Sequence, residues 1–213
     1  MSSTSVPVAP PAPAQRGRKR SVQAETAVLD AAYQVLLKDG LQATTVDAIA
    51  AQAGVSKATI YKWWPNRAAV IMSAFLREAG KALPYPDEVR LDSVFARLLQ
   101  MAEEFHGPIG TMISALIAEG QADPEIAQAF RDGYISARRR QGVEIVKAAI
   151  AKGLIRDADP EVVLDVLYAP LYYRLLVGHQ PLSAEFVRQH VDLVMNGLST
   201  TPGAKPARAR KKA

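Results

Sequence analysis

Residues 44–64 read TTVDAIAAQAGVSKATIYKWW and predict two short helices joined at Gly54. The first helix shows apolar residues at helical spacing, and glycine can end it because glycine adopts the left-handed conformation at little cost. Ser56 is a typical N-cap for the second helix, whose first turns carry small polar and cationic side chains. Two such helices with a tight turn between them form a helix-turn-helix, and the second helix of that motif enters the major groove of DNA.

The second helix carries residue types that contact DNA. Lys57 can donate to guanine acceptors, Thr59 can touch a thymine methyl group or a phosphate, and the Tyr61 hydroxyl can reach a phosphate oxygen. The apolar residues are predicted to form a buried joint that fixes the crossing of the two helices: Ile49, Ala50, Val55, Ile60 and Trp64. The alternative is a corner of similar shape in any all-α protein.

Residues 45–67 follow the pattern TV-x2-IA-x2-AGVSK-x-TIY-x2-W-x-NR. This pattern resembles the DNA-binding signature of the tetracycline-repressor (TetR) family, specifically over residues 21–72 and only architecturally beyond them. The resemblance implies phosphate contacts from Thr45, Tyr61, Lys62 and Arg67, and base contacts from Lys57 and Thr59. Ser56 and Trp63 complete the candidate DNA-binding residues of the motif. Trp63 stands where many members have histidine, and Arg67 stands where they usually have lysine, which replaces a point charge by a bidentate fork.

The cations lie mostly at the two ends of the chain. The net charge of the 213 residues is +5, and removing four cations at 16–20 and five at 205–212 leaves −4 for residues 21–204. Residues 1–20 are proline-rich and are predicted to be a disordered basic arm, and residues 201–213 a disordered basic tail. The arm adjoins the motif, so it offers candidate contacts to the DNA backbone or minor groove, with a solvated tail as the alternative: Arg16, Arg18, Lys19 and Arg20.

Helical periodicity continues beyond the motif. It marks residues 21–38, 67–81, 91–105, 109–121, 124–152, 160–177 and 183–198, and strand signals are absent. Segment 160–177 is apolar on more than one face, so one side can pack in the core and the other against a second subunit. Segment 186–198 can complete a two-fold four-helix interface, as the resemblance implies, while core packing without dimerisation is the alternative. The candidate interface residues are Leu164, Leu167, Leu171, Leu175, Val187, Val191 and Val194.

Pro170 lies inside segment 160–177 and is expected to kink it, which opens space between helices. Small-molecule sites are mostly apolar with few polar groups. The residues that match this description are Met101, Phe105, His106, Met112, Tyr134, Tyr168, Tyr172 and Tyr173. The alternative for each of them is ordinary core, where aromatic and methionine side chains are common.

The sequence gives little support for an enzyme, a metal or cofactor protein, a membrane protein or a secreted protein. The chain has no cysteine, which excludes disulfides and thiolate metal sites, and it has no P-loop, dinucleotide fingerprint or zinc-protease motif. An enzyme, a cofactor and a metal are therefore not expected. The most apolar stretch, 162–177, is interrupted by polar residues and proline and is shorter than the about 20 residues of a membrane span. The residue order at the start does not fit a secretory signal.

The sequence thus predicts an all-α protein with an N-terminal three-helix helix-turn-helix domain, residues 21–66, joined to a larger helical ligand-binding and dimerisation domain, residues 67–200. The expected function is a homodimeric repressor that binds palindromic double-stranded DNA and is released by an unknown small apolar or amphipathic effector. It is expected in the bacterial cytoplasm, on the nucleoid. The alternatives are a DNA-binding regulator or architectural protein controlled by a partner protein, and a helical enzyme or cofactor-binding protein with a fortuitous motif.

Overall fold

The computed structural model of the chain describes residues 16–84 and 94–199, with side chains from Val22 onward. Every regular element in these two ranges is helical, which confirms the predicted fold class. The elements are α1 (Arg16–Ala43), α2 (Val46–Ala53), α3 (Lys57–Tyr61), α4 (Arg67–Ala82), α5 (Val94–Glu104), α6 (Pro108–Glu119), α7 (Pro124–Phe130), a π-helical turn (Arg131–Ile135), α8 (Ser136–Ala151), α9 (Pro160–Val177) and α10 (Ala184–Leu198).

Two apolar clusters divide the molecule. The smaller cluster joins α1, α2, α3 and one face of α4. The larger cluster joins α5–α10, the other face of α4, and Leu36 and Leu41 of α1. Val70 and Ala74 of α4 belong to the smaller cluster, whereas Ile71 and Phe75 belong to the larger one. The predicted boundary at residue 67 therefore falls at the start of a helix that both clusters share. We call α1–α4 the head and α5–α10 the body.

The first helix differs from its prediction at both ends. It begins at Arg16 rather than Ser21, so the backbone of residues 16–20 is helical where the sequence predicted disorder. Four of these five residues are arginine or lysine, which favour a helix, and no proline interrupts them. At Gly40 the φ and ψ angles are 81° and 173°, so the helix is interrupted there, just after the predicted end at residue 38, with a positive φ that favours glycine. Residues 1–15, the tail 201–213 and the side chains of Arg16, Arg18, Lys19 and Arg20 lie outside the described part.

The long segment 124–152, predicted as one helix, is three elements. A π-helical turn, Arg131–Ile135, separates α7 from α8. The wider turn adds a residue to the helical path and changes the face that its side chains present. Tyr134 of this turn is buried against Phe75, with ring centroids 4.9 Å apart, and stacks on Phe130 at 5.4 Å. A Cβ atom at Gly133 would lie 3.3 Å from Leu76, so glycine lets the turn pack closely on α4.

Helices α8, α9 and α10 form the far side of the body. Helix α9 packs on both α8 and α10, and it continues through Pro170 from Pro160 to Val177. Arg139 of α8 binds Glu161 and, at 2.6 Å, Asp165, which ties α8 to the first turns of α9. Among the helices of the described ranges, none has both the length and the apolar character that crossing a membrane requires.

Candidate nucleic-acid interface

The turn between α2 and α3 is fixed by caps at each helix end. The Thr45 hydroxyl accepts a hydrogen bond from the amide of Ala48 at 3.1 Å and caps α2. Gly54 ends α2 in the left-handed conformation, with φ 65° and ψ 33°. The Ser56 hydroxyl then accepts from the amide of Thr59 at 3.2 Å and caps α3. These caps satisfy amides that a short helix leaves unpaired, so the two helices meet at a defined angle.

The predicted joint is buried with one exception. Ile49, Ala50, Ile60 and Trp64 are in the head cluster, and Val55 is half-buried at its edge. The indole Nε1 of Trp64 donates to the hydroxyl of Ser73 on α4 at 2.8 Å. This bond satisfies the only polar atom of the indole, so the joint is anchored to α4 without an unpaired donor.

The opposite side of the motif faces solvent. Thr45, Ser56, Lys57, Tyr61 and Lys62 are exposed, and Tyr61 exposes 53% of its surface. Two further candidates are half-buried. Thr59 shares a 2.9 Å hydrogen bond with the Ser56 hydroxyl, and Trp63 packs edge-on against Trp64, with ring centroids 5.6 Å apart. The structure therefore brings five of the motif's candidate contacts onto one exposed surface, which we call the recognition surface.

Lys57 forms an ion pair with Asp47 of α2. Its Nζ lies 2.9 Å from Oδ1 of Asp47, and both side chains are mostly exposed. The hydrogen bond to Asp47 raises the pKa of Lys57 above its ordinary value, so the ammonium stays charged. Asp47 thus places a negative charge beside a candidate base-reading group. The spacing of ten residues between them gives no helical signal, because the pair spans two helices.

Arg67, a predicted phosphate contact, is held by partners within the protein. Its Nε donates to the carbonyl oxygen of Thr44 at 3.0 Å, and its Nη2 donates to the carbonyl oxygen of Leu41. Its Nη1 lies 3.6 Å from a carboxylate oxygen of Glu119 and 4.0 Å from one of Asp123. Only 27% of the side chain is exposed. The guanidinium therefore faces the α1–α2 corner and the body rather than the recognition surface.

The residues predicted to line a ligand pocket fall into three groups. Four are buried: Met101, Phe105, Met112 and Tyr134. Two are half-buried, Tyr168 and Tyr172, and two are exposed, His106 and Tyr173. Tyr172 links the first two groups, because its ring lies 5.3 Å from that of Phe105 and its hydroxyl bonds to Tyr134. Burial raises the pKa of Tyr172 well above its ordinary value. The two exposed residues do not line an interior site: Tyr173 instead packs on His179.

The predicted dimer-interface residues face inward. Leu164, Leu167, Leu171, Val187, Val191 and Val194 are buried in the body's own cluster, and Leu175 is half-buried against it. These side chains fill the protomer's own core rather than an exposed face of α9 or α10. The periodicity could not separate the faces of α9, because that helix is apolar nearly all round.

The outward face of α9 is apolar instead. The large apolar residues exposed on it are spaced by four, seven and three or four positions, which places them on one side of the helix, while Glu161, Asp165 and Ala169 are exposed as well. The large apolar residues are Val162, Val166, Tyr173, Leu176 and Val177, each between 45% and 58% exposed. Leu193 of the neighbouring α10 is 75% exposed. A continuous apolar surface of this kind marks an interaction site in soluble proteins.

An exposed cationic helix held by a capped turn, carried on an all-helical body, defines a DNA-binding transcriptional regulator of the helix-turn-helix class. The chain belongs to the TetR family: the model for bacterial regulatory proteins of the tetR family matches residues 28–73, and that for the tetracyclin repressor-like C-terminal domain matches residues 87–194. The resemblance of residues 45–67 is thereby confirmed.

Relatives support the same assignment along the chain. YdeS of Bacillus subtilis, an uncharacterized HTH-type transcriptional regulator, is 42% identical over 184 residues, 85% of this chain and 91% of the relative. The DNA-binding transcriptional repressor TetR of Mycobacteroides abscessus is 31% identical over 197 residues, 89% of this chain and 98% of the relative. The crystal structure of the regulator FadR from Bacillus subtilis, in complex with stearoyl-CoA, has a TM-score of 0.64 at 16% identity and covers 81% of this chain and 98% of that one. At this identity the likeness concerns the fold alone.

Proposed function

We propose that the protein is a homodimeric repressor that binds a palindromic operator in the bacterial cytoplasm, on nucleoid DNA, and leaves it when a small apolar or amphipathic molecule binds the body. One observation carries this proposal. The chain exposes two kinds of surface, a cationic helix on the head and an apolar helix face on the body, as a protein with two different partners requires.

The outward face of α9 is the proposed contact with a second copy of the chain. A two-fold interface uses the same surface on both subunits, so a self-complementary apolar face is sufficient to build it. Helices α9 and α10 of two subunits would then form a four-helix bundle. We propose Val162, Val166, Tyr173, Leu176 and Leu193 as its residues, in place of the buried set.

The dimer is tested by replacing Val166 with glutamate. This change places a charge in the centre of the proposed interface, where nothing pairs with it, so the mass in solution should fall to that of a monomer. The matched control is Leu154→Glu, because Leu154 is 55% exposed but lies in the α8–α9 connection. The control should stay a dimer. A Val166→Glu protein that remains a dimer refutes this interface.

The operator is tested by enriching DNA from random sequence with the purified protein. Two heads of a dimer contact half-sites about 34–36 Å apart, so the enriched DNA should contain a palindrome with half-sites one helical turn apart. A single, unrepeated half-site would contradict the dimeric mode of binding.

Ligand release is supported by the composition of the body. Phe105, Tyr134 and Tyr172 form a continuous aromatic group with a buried hydroxyl, which offers apolar contact and a few polar partners for an amphipathic molecule. FadR was crystallised with stearoyl-CoA, so long-chain acyl compounds belong in the first panel of probes. A compound that binds should raise the unfolding temperature and release the enriched DNA in a mobility-shift assay.

A second candidate function is regulation without a small molecule. It is favoured by the packing on the other side of Tyr134, because the rings of Phe75, Phe130 and Tyr134 contact one another. In this case a partner protein or the protein's own concentration controls DNA binding. If no compound of the panel shifts the unfolding temperature, while a protein from the native host dissociates the DNA complex, this second candidate is correct.

A further inference from the structure

A polar junction joins the head to the body beside the start of α4. It consists of Gln42, Asn66 and Arg67 on the head and Glu119, Asp123 and Glu125 on the body. Glu119 is the last residue of α6, and Asp123 and Glu125 lie at the start of α7. The junction therefore connects the DNA-binding region to the α6–α7 turn. We refer to these six residues as the head–body junction.

Arg67 is the centre of the junction. Its fork donates to the carbonyl oxygens of Leu41 and Thr44 on one side and faces the carboxylates of Glu119 and Asp123 on the other. Leu41 and Thr44 belong to the corner between α1 and α2, and both residues are buried. A planar guanidinium can hold several acceptors at fixed angles, which a lysine ammonium on a flexible stem does not do.

The helix caps reinforce the same contact. The Oδ1 atom of Asn66 accepts from the amide of Ala69 and caps α4, while its Nδ2 donates to Glu125 at 2.9 Å. On the body, Oδ1 of Asp123 accepts from the amides of Glu125 and Ile126 and caps α7. Its second oxygen faces Arg67. Asn66 therefore caps α4 and also contacts the body, and Asp123 caps α7 and also faces the head. The first turns of α4 and α7 are in this way fixed to each other.

These contacts are incompatible with Arg67 acting as a phosphate contact. To reach DNA, the guanidinium would leave the carbonyl oxygen of the buried Thr44 without this donor, and that of Leu41 with the Thr44 amide alone, which costs free energy. It would also leave the carboxylates of Glu119 and Asp123 next to each other without their cation. The exposed cations of the recognition surface, Lys57 and Lys62, can turn to phosphates or bases without uncovering a buried acceptor, because Asp47, the partner of Lys57, is itself exposed.

We propose that Arg67 is a positioning residue: through the head–body junction it fixes each head relative to the body and thereby sets the half-site spacing that the protein accepts. The inference rests on the homodimer proposed above, because a spacing exists only between two heads. A rigid junction transmits the geometry of the dimer to the DNA, whereas a loose junction lets each head find its half-site independently.

The test is a spacing series built on the enriched operator, with one base pair removed or one or two added between the half-sites. Each added base pair moves a half-site by about 3.4 Å along the axis and rotates it by about 35°. The wild-type dimer should bind the enriched spacing best. In the variants Arg67→Lys and Glu119→Gln/Asp123→Asn, the preference for that spacing over its neighbours should fall by at least about threefold.

The salt dependence of binding separates positioning from phosphate contact. Losing one phosphate contact lowers the slope of log affinity against log salt by about 0.9 per head. Arg67→Gln should leave the slope unchanged if Arg67 positions the head. A slope reduced by that amount, with spacing preference intact, makes Arg67 a phosphate contact and overturns the proposal.

The body-side double variant keeps Arg67 and its bonds to the α1–α2 corner, so it tests the junction even if the Arg67 variants fail to fold. Its matched control is Glu103→Gln/Asp157→Asn, which removes the same charge at two exposed positions outside the junction. The control should keep the wild-type spacing preference. If the double variant keeps it too, the junction does not position the heads. A wild-type protein that is monomeric in solution, or that enriches a single half-site, instead refutes the dimer itself and the spacing role with it.

Discussion

The head and the body expose opposite kinds of side chain on similar scaffolds. Both are helices packed around an apolar cluster, yet the head presents lysines and hydroxyls from α3, whereas the body presents valine, leucine and tyrosine from α9. The cationic surface of the head can bind the phosphate backbone of DNA. The apolar surface of the body can pack against another apolar surface. The exposed side chains of each region, rather than its buried side chains, therefore indicate the kind of partner that the region binds.

The two regions also differ in how their cations are held. Lys57 on the recognition surface is 57% exposed and has a single exposed carboxylate beside it, whereas Arg67 is enclosed by two carbonyl oxygens and two carboxylates. Both belong to one sequence signature. The exposed Lys57 is therefore available to DNA, whereas the enclosed Arg67 holds the DNA-binding region in place.

The largest effect is expected from a cavity in the head cluster, which should destabilise the head and leave the body folded. Ile60 is completely buried in the head, so Ile60→Ala leaves a cavity and should destabilise the head by about 2–5 kcal/mol. DNA binding should be lost while the protein stays dimeric, because the α9 face is untouched. Thermal unfolding followed by circular dichroism, mass measurement and mobility shift check the three parts of this prediction.

The matched variant for Ile60→Ala is Ile113→Ala, which removes the same atoms from a completely buried site in the body. It should lower the unfolding temperature of the body and leave the recognition surface able to bind DNA below that temperature. Equal loss of DNA binding in both variants would mean that head and body unfold as one unit, and the comparison between them would not hold.

The next effect tests the recognition surface. Lys57→Ala should weaken binding to the enriched DNA by about five- to hundred-fold per head, the range for losing a good base contact, and should weaken binding to unrelated DNA much less. Lys62→Ala, at an equally exposed neighbouring lysine, should weaken both by a similar factor because phosphates carry no sequence. Fluorescence anisotropy on the two DNAs measures the difference. The same factor on both DNAs for Lys57→Ala would remove it from base reading.

Local signals in the sequence were sufficient to predict most of the head. Caps and turns act over three or four residues, so Gly54 and Ser56 were identifiable without tertiary information. The π-helical turn at Arg131–Ile135 was not predictable in this way. Its extra residue is held by the packing of Tyr134 between Phe75 and Phe130, and Phe75 is distant in sequence.

The site was predictable where a residue acts alone and not where it acts through distant partners. Lys57 and Tyr61 are exposed because of their place on α3, which periodicity reveals. The role of Arg67 depends on Glu119 and Asp123, more than fifty residues away, and no pattern in the sequence brings them together. The outer face of α9 escaped prediction for a related reason, since only packing decides which apolar side of a uniformly apolar helix is buried.

A smaller effect is expected at the carboxylate beside Lys57. Asp47→Asn removes a negative charge that repels phosphates and competes for the ammonium of Lys57. Binding to unrelated DNA should become tighter, with a salt slope steeper by up to about 0.9 per head, so the preference for the enriched DNA should fall. Salt titrations of both DNAs measure this change. Asp30→Asn, at a carboxylate on α1 that pairs with Arg77, is the charge-matched control. An unchanged slope in Asp47→Asn would show that Lys57 already contacts DNA freely.

The smallest effect concerns α4, the helix that head and body share. Burial of Glu78 opposes its ionisation, but hydrogen bonds from Lys81 and Arg77 outweigh this and lower the pKa of Glu78 below its ordinary value of 4.5. A carboxyl whose pKa is lower in the folded chain stabilises the fold above its unfolded pKa, and this stability is lost as the pH falls through the folded pKa. Glu78→Gln should therefore reduce the free energy of unfolding at pH 7 and have little effect in acid below the folded pKa of Glu78.

Urea unfolding of wild type and Glu78→Gln at both pH values measures this difference. The control is Glu144→Gln, since Glu144 bonds to Lys147 one turn away on α8 and its side chain is 71% exposed. Exposed pairs of this kind contribute little, so the control should change the free energy of unfolding less than Glu78→Gln does at pH 7. Because Arg77 also binds Asp30 of α1 at 2.6 Å, loss of Glu78 should loosen α1 from α4 first. A Glu78→Gln effect of equal size at both pH values would show that Glu78 contributes through packing rather than through its charge.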